Sequence, residues 1–188
     1  MRKLILFMHV SIDGYVTGPT GQMDFVHADE QMFEYAGQQT EQADIALYGR
    51  VTYEMMDDYW PNAGDKPGAS KHDVEHSAWY NTVEKIVASR TLAGTSKPLT
   101  RFVGDHIEQE ITELKNRPGK NIIMFGSPGL AKTMMQANLI DEYWLFVNPV
   151  LRGDGNPLFK SGLPQINLEL KNTGTFDSGV VMLHYIRK

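Results

Sequence analysis

Residues 122–135, Ile-Ile-Met-Phe-Gly-Ser-Pro-Gly-Leu-Ala-Lys-Thr-Met-Met, constrain this chain more than any other stretch. Ile122 to Phe125 read as a buried strand. Gly126, Ser127, Pro128 and Gly129 break it, and Leu130, Met134 and Ala137 follow at helical spacing. A strand that turns through glycines into a helix leaves free backbone N–H groups at the helix start. Those groups and the helix dipole favour a phosphate. Glycine lets the phosphate approach the backbone, because no Cβ stands in the way. Such turns are common, so one alone is weak evidence for a nucleotide site.

The rest of the chain repeats the pattern of strand, then helix. Residues 3–10 form an apolar run suited to a strand covered on both faces. A loop spans residues 11–22 and a helix about residues 28–42, with Met32, Phe33 and Ala36 inward. Residues 45–48 form a strand that meets Gly49 and a helix over 51–58. A polar surface loop is expected at 60–72. Strands are expected near 85–89, 99–103, 122–125 and 142–147, and a helix carries Ile107, Ile111 and Leu114. Two strands near 166–176 and 180–187 close the chain. This order implies an α/β fold: a mostly parallel central sheet with flanking helices and an antiparallel C-terminal hairpin. No linker or internal repeat divides the chain, so residues 1–188 are expected to form one domain.

Composition narrows the function classes. Hydrophobic residues at 41% and charged residues at 22% are ordinary for a globular protein. A net charge of −5 argues against general nucleic-acid binding, which needs positive excess. No apolar run approaches a membrane span. The opening Met1–Val10 reads as a first strand and not as a signal peptide. With no cysteine, disulfide and thiolate chemistry are excluded, which fits a cytoplasmic protein.

Three strand ends look alike: Tyr48-Gly49-Arg50-Val51-Thr52, Ala88-Ser89-Arg90-Thr91 and Phe125-Gly126-Ser127-Pro128-Gly129. In open parallel sheets ligands bind beyond the carboxyl ends of the strands, so these turns could share one ligand. Arg50 and Arg90 are forked, permanently charged phosphate donors, and Thr52 and Ser89 add hydroxyls. Singly, each has a plain explanation as a surface arginine or a helix cap. Together they favour a dinucleotide.

Ser11-Ile-Asp-Gly-Tyr-Val, Leu47-Tyr-Gly-Arg-Val-Thr-Tyr-Glu, Lys85-Ile-Val-Ala-Ser-Arg and Phe125-Gly-Ser-Pro-Gly-Leu stand in the order of the motifs of the dihydrofolate reductase superfamily. Leu139-Ile-Asp-Glu-Tyr-Trp-Leu and Pro149-Val-Leu-Arg-Gly-Asp-Gly-Asn-Pro-Leu-Phe extend the match. The chain most resembles the branch typified by the reductase domain of bifunctional riboflavin-biosynthesis proteins.

The resemblance implies NADPH-dependent hydride transfer to a small heterocycle, pterin or pyrimidine-like, including 5-amino-6-(5-phosphoribosylamino)uracil reductase-type activity. It places Gly49, Arg50, Val51 and Thr52 against the cofactor phosphates and Ser89 and Arg90 near the 2′-phosphate. Phe125, Gly126, Ser127, Pro128, Gly129 and Leu130 hold the pyrophosphate. Val10, Ile12, Gly14 and Val16 lie near the nicotinamide. It also implies a cis bond between Gly126 and Ser127, although Ser127 stands where the family often has a second glycine.

Dihydrofolate reductases carry a carboxylate on the first helix that binds and helps protonate the pteridine. Glu30 and Asp29 are the candidates here, with Asp13 and Asp24 behind them. Acids in a first helical turn also favour the helix dipole, and Asp13 before Gly14 also suits a turn. Tyr53, Tyr59 and Trp60 suit either a substrate wall or the core. His27 reads as a surface residue or cap. His72 and His76, at i and i+4, read as a solvated helix face and not as a zinc site. A homodimer pairing through the C-terminal strands is expected, since Val181, Leu183 and Tyr185 alternate with Val180, Met182 and Ile186. The competing expectation is an NADP(H)-binding protein without turnover, a sensor or remnant.

Overall fold

Continuous apolar runs alternate with runs of helical period, and this sets the element order in the computed structural model, which describes residues 1–188. β1 (Leu4–Ser11) leads through β2 (Tyr15–Thr17) to α1 (Glu30–Glu41). β3 (Ala43–Gly49) feeds α2 (Arg50–Tyr59), which runs on into a 3-10 turn at Trp60–Asp65. Next come α3 (Lys71–Tyr80), β4 (Glu84–Ala88), β5 (Ser96–Lys97) and β6 (Thr100–Val103). They are followed by α4 (Ile107–Lys115), β7 (Asn121–Phe125) and α5 (Pro128–Gln136). The chain ends in β8 (Glu142–Asn148), β9 (Asn156–Pro157), β10 (Leu168–Thr175) and β11 (Val181–Arg187).

Nine strands form one sheet in the order β10-β11-β8-β1-β7-β3-β4-β6-β5. The six from β8 to β6 run parallel, and β10 and β11 form the expected antiparallel hairpin. β1 sits in the interior of the sheet, with Leu6 between Met124 of β7 and Tyr143 of β8. Its side chains are therefore apolar on both faces. Leu4, Leu6 and Met8 join Ile111, Leu114 and Met134 in one core, beneath α4 and α5. Ile5 and Phe7 join Met32, Tyr48 and Tyr80 in the other, beneath α1 and α3. Each such fully buried side chain stabilises the fold by about 1.5–3 kcal/mol.

Polar pins hold the strand ends that frame the site. Asn148, fully buried at the end of β8, accepts from the His27 N–H at 2.9 Å and donates to the carbonyls of Phe146 and Val10 at 3.0 and 3.3 Å. The loop before α1 is thereby tied to the ends of β1 and β8.

Two expectations are corrected. Residues 60–72 are not a loop. Pro61 opens the 3-10 turn, and Ser70 with Asp73 forms a capping box that starts α3. The buried face of α3 carries His76, Ser77 and Tyr80, a polar-looking set that hides the helix in the sequence. The Gly126–Ser127 bond is trans, since the chain contains no cis peptide. Gly126 and Ser127 both take left-handed backbone angles, φ +60° and +61°, and these turn the chain from β7 into α5.

Candidate active site

The carboxyl ends of β1, β7 and β3 open onto one cavity of 560 Å³. The β3–α2 turn contributes Gly49 to Thr52, and the β7–α5 turn contributes Phe125 to Leu130. β1 contributes Phe7, Met8 and His9. Its far wall comes from the loop before α1, from α1 itself, from α2, from Trp60 and from α3.

The two turns are locked together. The Gly49 N–H donates to Ser127 Oγ at 2.9 Å. A Cβ on Gly126 would stand 3.3 Å from Thr52 Cγ2, and one on Gly49 would stand 3.4 Å from Ser127 Oγ. A Cβ on Gly129 would meet nothing within 4 Å, so the chain there faces open space. Neither α2 nor α5 has a side-chain cap on its first N–H groups. By contrast, Asp29 caps α1 by accepting from the Met32 N–H at 2.9 Å, and Ser70 caps α3. α4 also lacks a cap, but it lies away from the cavity and carries Glu108 and Glu110 in its first turn. Two uncapped helix N-termini, each equivalent to about half a positive charge, therefore face the same space. An elongated anion such as a pyrophosphate fits that arrangement.

Val16, Gly49, Arg50, Val51, Thr52 and Phe125 to Leu130 all line this cavity. Val10, Ile12, Gly14, Ser89 and Arg90 do not. Val10 is buried in the core, and Ile12 is exposed on the loop after β1. Gly14, at φ +83°, turns that loop. The Ser89 hydroxyl closes its own turn, accepting from the Leu92 N–H at 3.1 Å. Arg90 is exposed and ion-paired to Asp105. Ala88 pairs with Gly49 in the parallel register, so Arg90 lies two residues past the strand end beside the β3–α2 turn. Arg50 reaches both carboxylate oxygens of Glu54, at 2.7 and 2.8 Å.

None of the four candidate acids lines the cavity, which corrects their expected placement. Asp29 is held by its cap bond and by the Ser178 hydroxyl at 2.7 Å. Burial works against its charge, but hydrogen bonds from Met32 and Ser178 prevail and hold its pKa below the usual carboxylate value. Glu30 is exposed in the first turn of α1 and borders a second, acidic cavity between α1 and α3. Asp13 accepts from the Ser11 hydroxyl at 2.6 Å and from the N–H groups of Gly153 and Arg152 at 2.7 and 3.1 Å. The Ser11 bond, then the Gly153 bond, lower its pKa to about 2. Asp24 is paired to Arg152 at 2.7 Å. A carboxylate that caps a helix or clamps a loop looks the same in sequence as one that protonates a substrate.

The groups that do face the cavity include three histidines that sequence reasoning passed over or misplaced. His9 interrupts an otherwise apolar strand, a signal that was available. It stacks on Phe146 with ring centres 5.2 Å apart, and burial lowers its pKa to about 4. His72 and His76 are not on a solvated face. His76 is buried against Trp60, Trp79 and Phe125, and burial lowers its pKa to about 3. His72 stacks on Phe33 at 4.0 Å and is lowered by burial as well. Trp60 belongs to the wall; Tyr53 is core, and Tyr59 is exposed and bonds Asp73. His27 does not line the cavity; its backbone N–H bonds Asn148.

The model of one protein family, the RibD C-terminal domain, matches residues 2–182. The uncharacterized protein YyaP of Bacillus subtilis (strain 168) is 34% identical over 188 residues, covering 98% of this chain and 94% of its own. A pyrimidine reductase-like protein from Corynebacterium diphtheriae shares the fold with a TM-score of 0.71 at 14% identity, over 100% of this chain and 92% of its own. A dihydrofolate reductase from Enterococcus faecalis, solved with NADP(H), does so with a TM-score of 0.65 at 12% identity, over 99% and 96%. No helix is long and apolar enough to cross a membrane.

Proposed function

Since this chain belongs to the RibD C-terminal domain family, we propose that it is an NADPH-dependent oxidoreductase that reduces a small conjugated or heterocyclic molecule held in the cavity. The observation that carries this reading is the Gly49–Ser127 bond, which joins two uncapped helix N-termini over one space. The N–H groups of Val51, Thr52, Gly129 and Leu130 would hold the pyrophosphate, and the flanking glycines leave it room. Arg90, beside the end of β3, would hold the 2′-phosphate. NADPH, when bound, supplies a hydride. The protein's part is to align the two molecules and exclude water with an apolar wall.

The test is oxidation of NADPH, followed by nicotinamide absorbance, across pterins, pyrimidines, quinones and the phosphoribosylamino-uracil type. Turnover with one class supports the reading. Loss of that turnover in Gly126→Val, at unchanged fold, ties it to the cavity.

A second reading, NADP(H) binding without turnover, is favoured by one observation: the cavity wall carries no carboxylate to supply a proton. Saturable NADPH binding with no oxidation by any member of the panel would support it.

The C-terminal strands remain our proposed pairing surface for a homodimer. β10 is the edge of the sheet, Leu170 is exposed on it, and Leu183 and Tyr185 of β11 are only partly covered. A monomer mass by light scattering at micromolar concentration would remove this proposal.

A further inference from the structure

The far wall of the cavity is built from thioethers, aromatic rings and imidazoles. Phe33 and His72 stack face to face, with centres 4.0 Å apart and planes 9° apart. Trp60 lies 4.0 Å from His76 at 39°. Met56 backs Trp60, with its sulfur 3.0 Å from the indole Nε1. Such surfaces are flat and polarisable, and they favour planar π-systems.

The wall is also short of charge. Arg50 is the one Lys, Arg, Asp or Glu side chain on it, and Glu54 already neutralises that guanidinium. His76 is buried, His9 and His72 are half-buried, and none of the three has a carboxylate bonded to its ring. Asp73 and Glu75 pull His72 toward its charged form, yet burial prevails. His9 and His76 are therefore neutral imidazoles at pH 7, each with one donor and one acceptor nitrogen, and burial pushes His72 the same way. The His9 ring makes no hydrogen bond within the chain. Its Nδ1 is sealed and unpartnered, which leaves Nε2 as the nitrogen open to the cavity.

We infer that the substrate side of this cavity takes a neutral, planar, conjugated ring with one polar edge group set against His9, and rejects rings that must bury a carboxylate, phosphate or ammonium. An ionised group brought against this far wall, away from the two helix N-termini, would lose its water and find no free counter-charge, which weakens binding by about tenfold or more. This inference deepens the reductase reading by naming its substrate class.

The test uses three rings of nearly equal size: 4-nitrobenzamide, 4-nitrobenzoate and 4-nitrobenzylamine, the last a cation at neutral pH. Each is titrated into the protein in excess inorganic pyrophosphate, which fills the helix N-termini, and followed by quenching of tryptophan fluorescence, since Trp60 lines the cavity while Trp79 and Trp144 do not. NADPH is titrated separately on the same preparation.

The expected result is saturable quenching by the amide, with affinity about tenfold or more above both ions, and loss of most of that quenching in Trp60→Phe. His9→Leu should weaken the amide several-fold and leave NADPH affinity in place. Equal or tighter binding of either ion overturns the inference, and so does no binding by any of the three. If the amide leads but NADPH does not bind, the substrate class stands and the reductase reading falls.

Discussion

The backbone N–H of Gly49 donates to the hydroxyl of Ser127 at 2.9 Å, linking the ends of two neighbouring segments that lie 78 positions apart in sequence. This one bond sets the spacing of the helix starts that frame the proposed phosphate cradle. Ser127→Ala should leave the Gly49 N–H unpaired. We expect a stability loss of about 1 kcal/mol and a weaker NADPH complex. Urea denaturation and a cofactor titration check both. Unchanged values in each would show that the bond does not organise the cradle.

Arg90 is held by Asp105, so its charge is partly spent before any cofactor arrives. Arg90→Ala should weaken NADPH more than NADH. Asp105→Asn should do the reverse and tighten NADPH by about two- to fivefold, the scale of an exposed ion pair. Competition between the two dinucleotides measures it. Equal losses for both in Arg90→Ala would remove Arg90 from the 2′-phosphate.

Asp29, Asp13 and Asp24 are each tied to a helix cap, a loop or an arginine in this geometry. Asp29→Ala should lower stability by about 1 kcal/mol through the lost cap and leave NADPH affinity unchanged. Asp13 has a folded pKa of about 2 against an ordinary 3.8. Its contribution is thus complete above pH 3.8 and is lost as pH falls through about 2. Asp13→Asn should flatten the acid limb of the stability curve in that window. A selective loss of turnover in either variant would return a catalytic role to that residue.

The cavity histidines predict a second, earlier acid limb. His9 titrates at about 4 when folded, against 6.5 in the unfolded chain, so the unfolded state binds the proton first. Stability is full above pH 6.5 and falls as pH drops toward 4. His76 acts in the same direction, extending to about 3. Melting temperature should begin to fall below pH 6.5, and His9→Leu and His76→Phe should each remove part of that fall. A curve flat down to pH 4.5 would contradict the burial of these rings.

The parallel sheet and the glycine turns after β3 and β7 were legible because glycine at a strand end and helical spacing after it are local signals. Gly49 and Gly126 carry them in the sequence itself. The substrate wall was not legible, because it is assembled from residues far apart: His9 in a strand, Phe33 in one helix, His76 in another. The face of α3 that packs inward is His76, Ser77 and Tyr80, which no hydrophobic period marks. The acids are ambiguous in sequence for a physical reason. A cap, a loop clamp and a proton donor all need a carboxylate at a loop–helix junction, and only the partners of Asp29 and Asp13 tell them apart.

Calorimetric titration of NADPH into the protein and into Gly126→Val tests the cofactor assignment most directly. A Cβ on Gly126 would sit at positive φ and 3.3 Å from Thr52 Cγ2, so a branched side chain there crowds the β3–α2 turn that frames the proposed cradle. We predict one saturable site per chain in the native protein, and an affinity lower by about tenfold or more in the variant, with the fold retained by circular dichroism. No saturable binding by the native protein, or equal binding by both, would contradict it.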